Sequence, residues 1–236
     1  MNFADPLLRG TLIKRYKRFM ADVVLESGET VTAHCPNTGA MLGVQETDSE
    51  VWLSPARNPD RKLKFTWELI RVDEGLVGVN TAHPNQIVTE AIENNKIPEF
   101  SGYDTLRREV KYGKNSRIDV LLEMADGRNC YVEVKNVTMR RDLTKGAPVE
   151  FPDGITARGA KHLAELSDMV KEGHRAVMFY LLQRGDADSM AIARDIDPTY
   201  GEALDKARKS GVEVIAFNCK LTPKEINVAK PVEFLG

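Results

Sequence analysis

The sequence predicts a mixed α/β protein in two parts, a small N-terminal β-barrel and a following α/β domain. Three observations predict it. The first eighty residues carry only short strand-like segments between turn signals, strands alternate with helices after residue 83, and 236 residues suffice for both cores.

Segments 11–18, 19–25, 30–34, 51–53, 65–72 and 76–79 are β-branched or alternate apolar with polar residues. Between them lie Ser27-Gly28, Pro36-Asn37-Thr38-Gly39, the stretch from Pro55 to Pro59, and Glu74-Gly75, all turn sequences. Strands this short and this dense suit a barrel or sandwich, and a five-stranded barrel fits the length. The pattern changes at Thr81-Ala82-His83-Pro84. Ile87, Val88, Ala91 and Ile92 have helical spacing and Pro98 stops the segment, so 84–96 reads as a helix. Strands at 118–124 and 130–137 are joined by Ala125-Asp126-Gly127-Arg128, a hairpin turn. A helix over 156–172 follows, with Ala160, Leu163, Leu166 and Val170 on one side. Then come strands 176–182 and 190–193, a helix over 200–210 and a strand over 212–217. The first domain is therefore expected over 1–83 and the α/β domain over 84–236.

Apolar residues make up 42% and charged residues 29%, and 33 Lys plus Arg stand against 35 Asp plus Glu. That balance excludes binding of nucleic acid through bulk positive charge but leaves room for a local basic groove. No apolar run approaches the roughly 18 residues of a membrane span, and no signal-peptide core opens the chain, so no membrane partner is expected. Cys35, Cys130 and Cys219 form no CxxC pair, which argues against a zinc ribbon or a disulfide framework and for the cytoplasm.

Two apolar strands contain charges that do not belong there. Asp119 is flanked by large aliphatics, and Glu133 and Lys135, two apart, share a strand face. Buried ions cost several kcal/mol unless they are paired or bind a metal. Carboxylates converging from both strands of the hairpin would form a hard oxygen site for Mg²⁺ or Mn²⁺. Lys135 beside it would orient or deprotonate a water attacking a phosphodiester, the logic of Asp-x(n)-(Asp/Glu)-x-Lys nucleases. The same residues also fit a cross-strand salt bridge with Asp119 as a bystander. A second Glu-x-Lys, Glu109-Val110-Lys111, sits among Arg107, Arg108, Lys114 and Arg117 and reads as a solvated edge strand. Glu90 on the preceding helix is a candidate further metal ligand. Arg158, Lys161 and His162 fall on one side of the long helix, where they either bind phosphate or face water. Gln183, ending an apolar strand, is a weak candidate for the same site.

The densest charge is Arg9, Lys14, Arg15, Lys17 and Arg18, with Tyr16 and Phe19 interleaved. Such a cluster suits backbone phosphates with an aromatic for base stacking, or a solubilising edge strand. Arg57, Arg61, Lys62 and Lys64 extend the basic character on a loop.

Several segments together resemble the sugar fermentation stimulation protein A family. They are Leu12-Ile13-Lys14-Arg15-Tyr16-Lys17-Arg18-Phe19, His34-Cys35-Pro36-Asn37-Thr38-Gly39, Glu109-Val110-Lys111-Tyr112-Gly113 and Ser116-Arg117-Ile118-Asp119. Tyr131-Val132-Glu133-Val134-Lys135-Asn136-Val137-Thr138, Phe151-Pro152-Asp153 and Arg158-Gly159-Ala160-Lys161-His162-Leu163 continue the match along the chain. The resemblance implies an OB-like barrel followed by a PD-(D/E)xK nuclease-like domain. It implies binding of single- or double-stranded DNA without marked sequence preference and a regulatory role in maltose use. It carries the catalytic positions onto Asp119, Glu133 and Lys135, and the metal positions onto Glu90, Asp119 and Glu133. The DNA-binding candidates are Lys14, Arg15, Lys17, Arg18, Arg158, Lys161 and His162. Ala157 and Ala160 stand where relatives often have Glu and Gln. Oligomeric state stays open, a dimer included, as does whether DNA is cut.

Overall fold

The computed structural model describes every residue except Pro59, Lys114, Leu143 and Lys145. The end of the 55–59 turn and one member of the basic flank of Glu109 thus lie outside the described residues.

Five strands close the N-terminal barrel: β1 (Leu8–Tyr16), β2 (Met20–Leu25), β3 (Thr30–His34), β4 (Glu50–Pro55) and β5 (Phe65–Val72). β1 pairs antiparallel with both β2 and β4, β2 with β3, and β4 with β5. A short parallel pairing of β3 with β5 at Ala33↔Phe65 and His34↔Thr66 completes the circle. Closure removes the free edges that short strands would otherwise expose. Period-2 alternation sends Leu12, Val23, Val31, Val51, Leu53 and Trp67 into one core. At Gly10 the strands approach so closely that a Cβ would stand 2.6 Å from Val23 Cγ1 and Val24 O. The strand expected over 11–18 runs from Leu8 to Tyr16 and the one expected over 19–25 starts at Met20, because Lys17, Arg18 and Phe19 form the turn between β1 and β2. Lys17 (φ 48°) and Arg18 (φ 64°) take the left-handed conformation a tight hairpin needs. β6 (Gly75–Gly78) folds back antiparallel on β5, and its Gly78 N–H donates to Gln183 O at 2.7 Å, joining the barrel to the second sheet.

The α/β part contains α1 (Pro84–Glu93), β7 (Thr105–Tyr112), β8 (Ser116–Glu123), β9 (Cys130–Val137), β10 (Val149–Phe151) and α2 (Ala157–Lys171). It continues with β11 (Arg175–Leu182), β12 (Ser189–Ile192), α3 (Pro198–Lys209), β13 (Glu213–Leu221), β14 (Ile226–Pro231) and β15 (Glu233–Phe234). Its main sheet has the order β14-β13-β11-β9-β8-β7, with β9, β11 and β13 parallel and the outer strands antiparallel. β11 is apolar nearly throughout because both its faces are covered. Val177, Phe179 and Leu181 meet the α1 side, while Met178, Tyr180 and Leu182 meet the α2 and α3 side. Each such side chain contributes roughly 1.5–3 kcal/mol by leaving water. α2 is capped by Thr156, whose hydroxyl accepts from Gly159 N, and α3 by Asp197, which also receives Thr156 N–H. Asp197 thereby fixes the start of α2, the helix that faces the site. The predicted first helix ends three residues early, at Glu93, and β10, β14 and β15 are strands the sequence pattern did not reveal.

Candidate metal and nucleic-acid site

The site begins where β8 and β9 separate. Their pairing covers Val120↔Val132, Leu121↔Tyr131 and Leu122↔Cys130 and goes no further. Asp119 is the next residue, and its side chain replaces the missing ladder: Oδ2 accepts Val134 N–H at 2.7 Å. Oδ1 accepts from Asn85 Nδ2 at 2.7 Å, a residue of the first turn of α1. The same Asn85 amide reaches Glu109 Oε1 at 3.2 Å. On β7, Arg108 pairs with Val120 and Val110 with Ile118, which puts Glu109, in a left-handed conformation (φ 53°), on the rung of Asp119. Burial, then the Glu133 charge, push the Asp119 carboxyl up to about 6, against the Val134 hydrogen bond, the Lys135 charge and the Asn85 hydrogen bond, which favour its ionised form.

Glu133 is 2% exposed. Its Oε1 receives Lys135 Nζ at 2.6 Å and also touches His162 Nδ1, while Oε2 is buried with no hydrogen-bond partner. Burial raises its pKa, but His162 and Lys135 outweigh that and hold the carboxyl below the usual range. The ion pair runs along one strand rather than across two, so the cross-strand bridge allowed by the sequence is not what forms. Arg158 Nε donates to His162 Nε2 at 3.3 Å.

Among the described residues no group of three or more His, Cys, Asp and Glu is arranged to hold a metal. The orphaned Glu133 oxygen and the Asp119 carboxylate nevertheless fit a hard divalent cation that takes its other ligands from water and phosphate. Glu90 is not brought to them. It lies about 140° around α1 from Asn85, and its carboxylate meets the Met1 ammonium at 2.8 Å and Gln86. α1 instead offers Asn85 to this corner, a residue the sequence reading passed over, although its place on the 85, 88, 89, 92 side of the helix was a usable signal. Glu109, set aside as a solvated edge residue, is exposed yet within reach of Asn85.

The basic candidates divide. His162 is 3% exposed and bound to Glu133, too deep to touch a phosphate. Arg158 is exposed at the mouth, and Lys161 is half-exposed, donating to Ser116 Oγ at 3.1 Å beside Glu165. Arg15 is committed to the barrel: it donates to the carbonyls of Arg18, Asn37 and Gly39 and to Gln45. That is the physical role of the Pro36-Asn37-Thr38-Gly39 turn, held from one side by Arg15 and tightened by Gly39 N–H on Asn37 Oδ1. Gly39 lies so close to Asp153 Oδ2 that a Cβ there would overlap it, so the turn and the Phe151-Pro152-Asp153 segment meet. Lys14 lies over the Tyr16 ring near Asp22, while Lys17 and Arg18 project from the exposed turn. Arg57 pairs with Asp5 and Arg61 donates to Thr66. Gln183 is a strut between the domains, donating to Asn80 O and Asn136 Oδ1. The three cysteines are free and buried.

The family profile described as Sugar fermentation stimulation protein RE domain matches residues 82–225. This chain belongs to the sugar fermentation stimulation protein family. The SfsA N-terminal OB domain profile matches residues 13–79. The chain is 58% identical over 233 residues to a homolog of that protein from Paramagnetospirillum magneticum, covering 98% of this chain and 97% of the relative. It is 56% identical over 230 residues to one from Rhodospirillum rubrum, covering 94% of each. The solved structure of Pyrococcus furiosus SfsA in complex with Ca²⁺ superposes with a TM-score of 0.85 at 23% identity, over 99% of this chain and 97% of that one. The fold of the SfsA family chain is thus an OB barrel followed by a restriction-endonuclease-like α/β domain. Among the described residues no helix is long and apolar enough to cross a membrane.

Proposed function

We propose that this protein binds DNA along its backbone without marked sequence preference, through the barrel (1–83) and the α/β domain (84–236) together, and holds Mg²⁺ or Mn²⁺ at Asp119 and Glu133. The observation that carries the reading is the buried, unpartnered Oε2 of Glu133 beside an Asp119 raised to about 6. An orphan carboxylate oxygen in a low-dielectric corner calls for a cation. The relative from Pyrococcus furiosus was solved with Ca²⁺, a cation of the same hard class. When bound, the metal supplies positive charge at a phosphate oxygen. Asn85 and the Val134 N–H orient Asp119, Lys135 and His162 orient Glu133, and Lys14, Lys17, Arg18, Arg158 and Lys161 supply the phosphate contacts.

A second reading, hydrolysis of the phosphodiester, is favoured by Lys135 standing 2.6 Å from Glu133, where its ammonium can orient a water. The buried free thiols suit a reducing compartment, and we place the protein in the cytoplasm. We place the family's maltose role downstream of DNA engagement. The test incubates single-stranded, duplex and branched DNA with Mg²⁺, Mn²⁺ or EDTA, beside Glu133→Ala/Lys135→Ala. Salt-sensitive binding supports the first reading, and metal-dependent cutting lost in the variant supports the second. No binding at low salt would sink both.

A further inference from the structure

We propose that Arg158 and His162 form a positioning relay that connects a DNA phosphate to Glu133. The proposal rests on the metal reading above and names residues that act on its ligand.

Three contacts carry it. Arginine has only N–H donors, so His162 Nε2, which meets Arg158 Nε at 3.3 Å, must accept. The ring proton then sits on Nδ1, the atom that faces Glu133 Oε1. Lys135 closes on that same Oε1, so both neighbours hold one oxygen and the carboxylate turns its other, Oε2, into the corner with no partner. An imidazole fixed by an outer partner and donating to a metal-binding carboxylate is how outer residues set the orientation and strength of a ligand.

The relay reaches the surface. His162 is 3% exposed, whereas Arg158 is exposed, and among the described residues its two Nη atoms have no hydrogen-bond partner. With Nε spent on His162, the Nη edge of the guanidinium remains for a phosphate, a geometry arginine suits and lysine does not. A phosphate on that edge fixes Arg158, which fixes the histidine tautomer, which fixes Glu133. Lys161, the neighbouring cation on α2, is held by Ser116 and Glu165 and takes no part. His162 is a positioning residue, since it touches neither phosphate nor cation.

The test is calorimetric titration of Mn²⁺ into the full chain without DNA, with melting temperature as the folding control. Asp119→Asn reports whether the metal site exists. His162→Ala is expected to weaken Mn²⁺ binding about 10- to 100-fold, and His162→Asn, whose amide places a donor near Nδ1, to recover most of it. Arg158→Ala, an exposed change that leaves the fold intact, is expected to weaken Mn²⁺ binding several-fold although no DNA is present. A plain phosphate clamp at Arg158 would lose DNA affinity and leave Mn²⁺ binding unmoved, and that result overturns the relay. So does a His162→Ala protein that melts lower but binds Mn²⁺ as tightly as before. If His162→Ala does not fold, Arg158→Ala decides alone. Mn²⁺ binding lost in Asp119→Asn but unchanged in the Arg158 and His162 variants removes the relay and leaves the metal site standing. A parent chain that binds no Mn²⁺ brings down both.

Discussion

Glu68 in the barrel and Glu133 in the α/β sheet are near twins in sequence and opposites in use. Each interrupts an apolar strand, each is buried, and each has a histidine on its carboxylate. Glu68 Oε1 accepts from Ser54 Oγ at 2.6 Å, and Oε2 accepts from Asn80 Nδ2 at 2.8 Å and meets His83 Nε2 at 2.7 Å. Glu133 crowds its partners onto Oε1 and leaves Oε2 bare. Both are held below the usual carboxylate range against the burial that would raise them. A buried charge alone therefore marks no site. With both oxygens satisfied Glu68 is a strut between strands and helix, whereas Glu133, with one left over, is the residue proposed to take a cation.

The contrast breaks most visibly at Glu68. Glu68→Ala strands Asn80 and His83 in a buried corner and is expected to cost about 3–5 kcal/mol of stability, read by urea unfolding, with no direct change at the proposed metal site. Glu133→Gln is expected to do the reverse: Mn²⁺ binding falls by at least about 100-fold (roughly 2.7 kcal/mol) while melting temperature moves little. A large loss of fold in Glu133→Gln, with Mn²⁺ binding kept, would make the two residues equivalent struts. Arg15→Ala frees three carbonyls and is expected to lower stability by about 2 kcal/mol, leaving the salt slope of DNA binding as it was. A flatter slope would return Arg15 to the DNA surface.

Acid sharpens the comparison further. Because the folded pKa of Glu68 is lowered, its contribution is complete at neutral pH and is lost as pH falls from about 4 through the folded value. Glu68→Gln should flatten the acid limb of stability against pH, measured by chemical unfolding at stepped pH, and an unchanged limb contradicts the strut. The smallest effect is expected from Lys17→Ala/Arg18→Ala at the exposed turn. Stability stays within about 0.5 kcal/mol, while the slope of log affinity against log salt drops by about 1–2. A loss confined to one DNA sequence would contradict backbone contact.

Much of the architecture was legible because it follows from local rules. Short alternating strands with turn residues gave the barrel, and apolar strands alternating with amphipathic helices gave the second domain. Asp119 and Glu133 stood out because charge inside an apolar strand is costly wherever the strand ends up. The same rule applied to Glu68 would have raised a false candidate, since its partners come from β4 and from the link into α1. The dense basic run before residue 19 was legible as charge but not as direction. Arg9 turns to Glu26 and Glu50 and Arg15 to carbonyls, leaving Lys14 and the turn residues Lys17 and Arg18 exposed.

By itself, then, the sequence determined which residues are expensive to bury and which periodicities must pack, because those costs belong to a residue and its near neighbours. Only the tertiary structure decided which oxygen of each carboxylate is satisfied. That depends on Asn85, Glu109, His162 and Arg158, which are brought to the corner by α1, β7 and α2 from far along the chain.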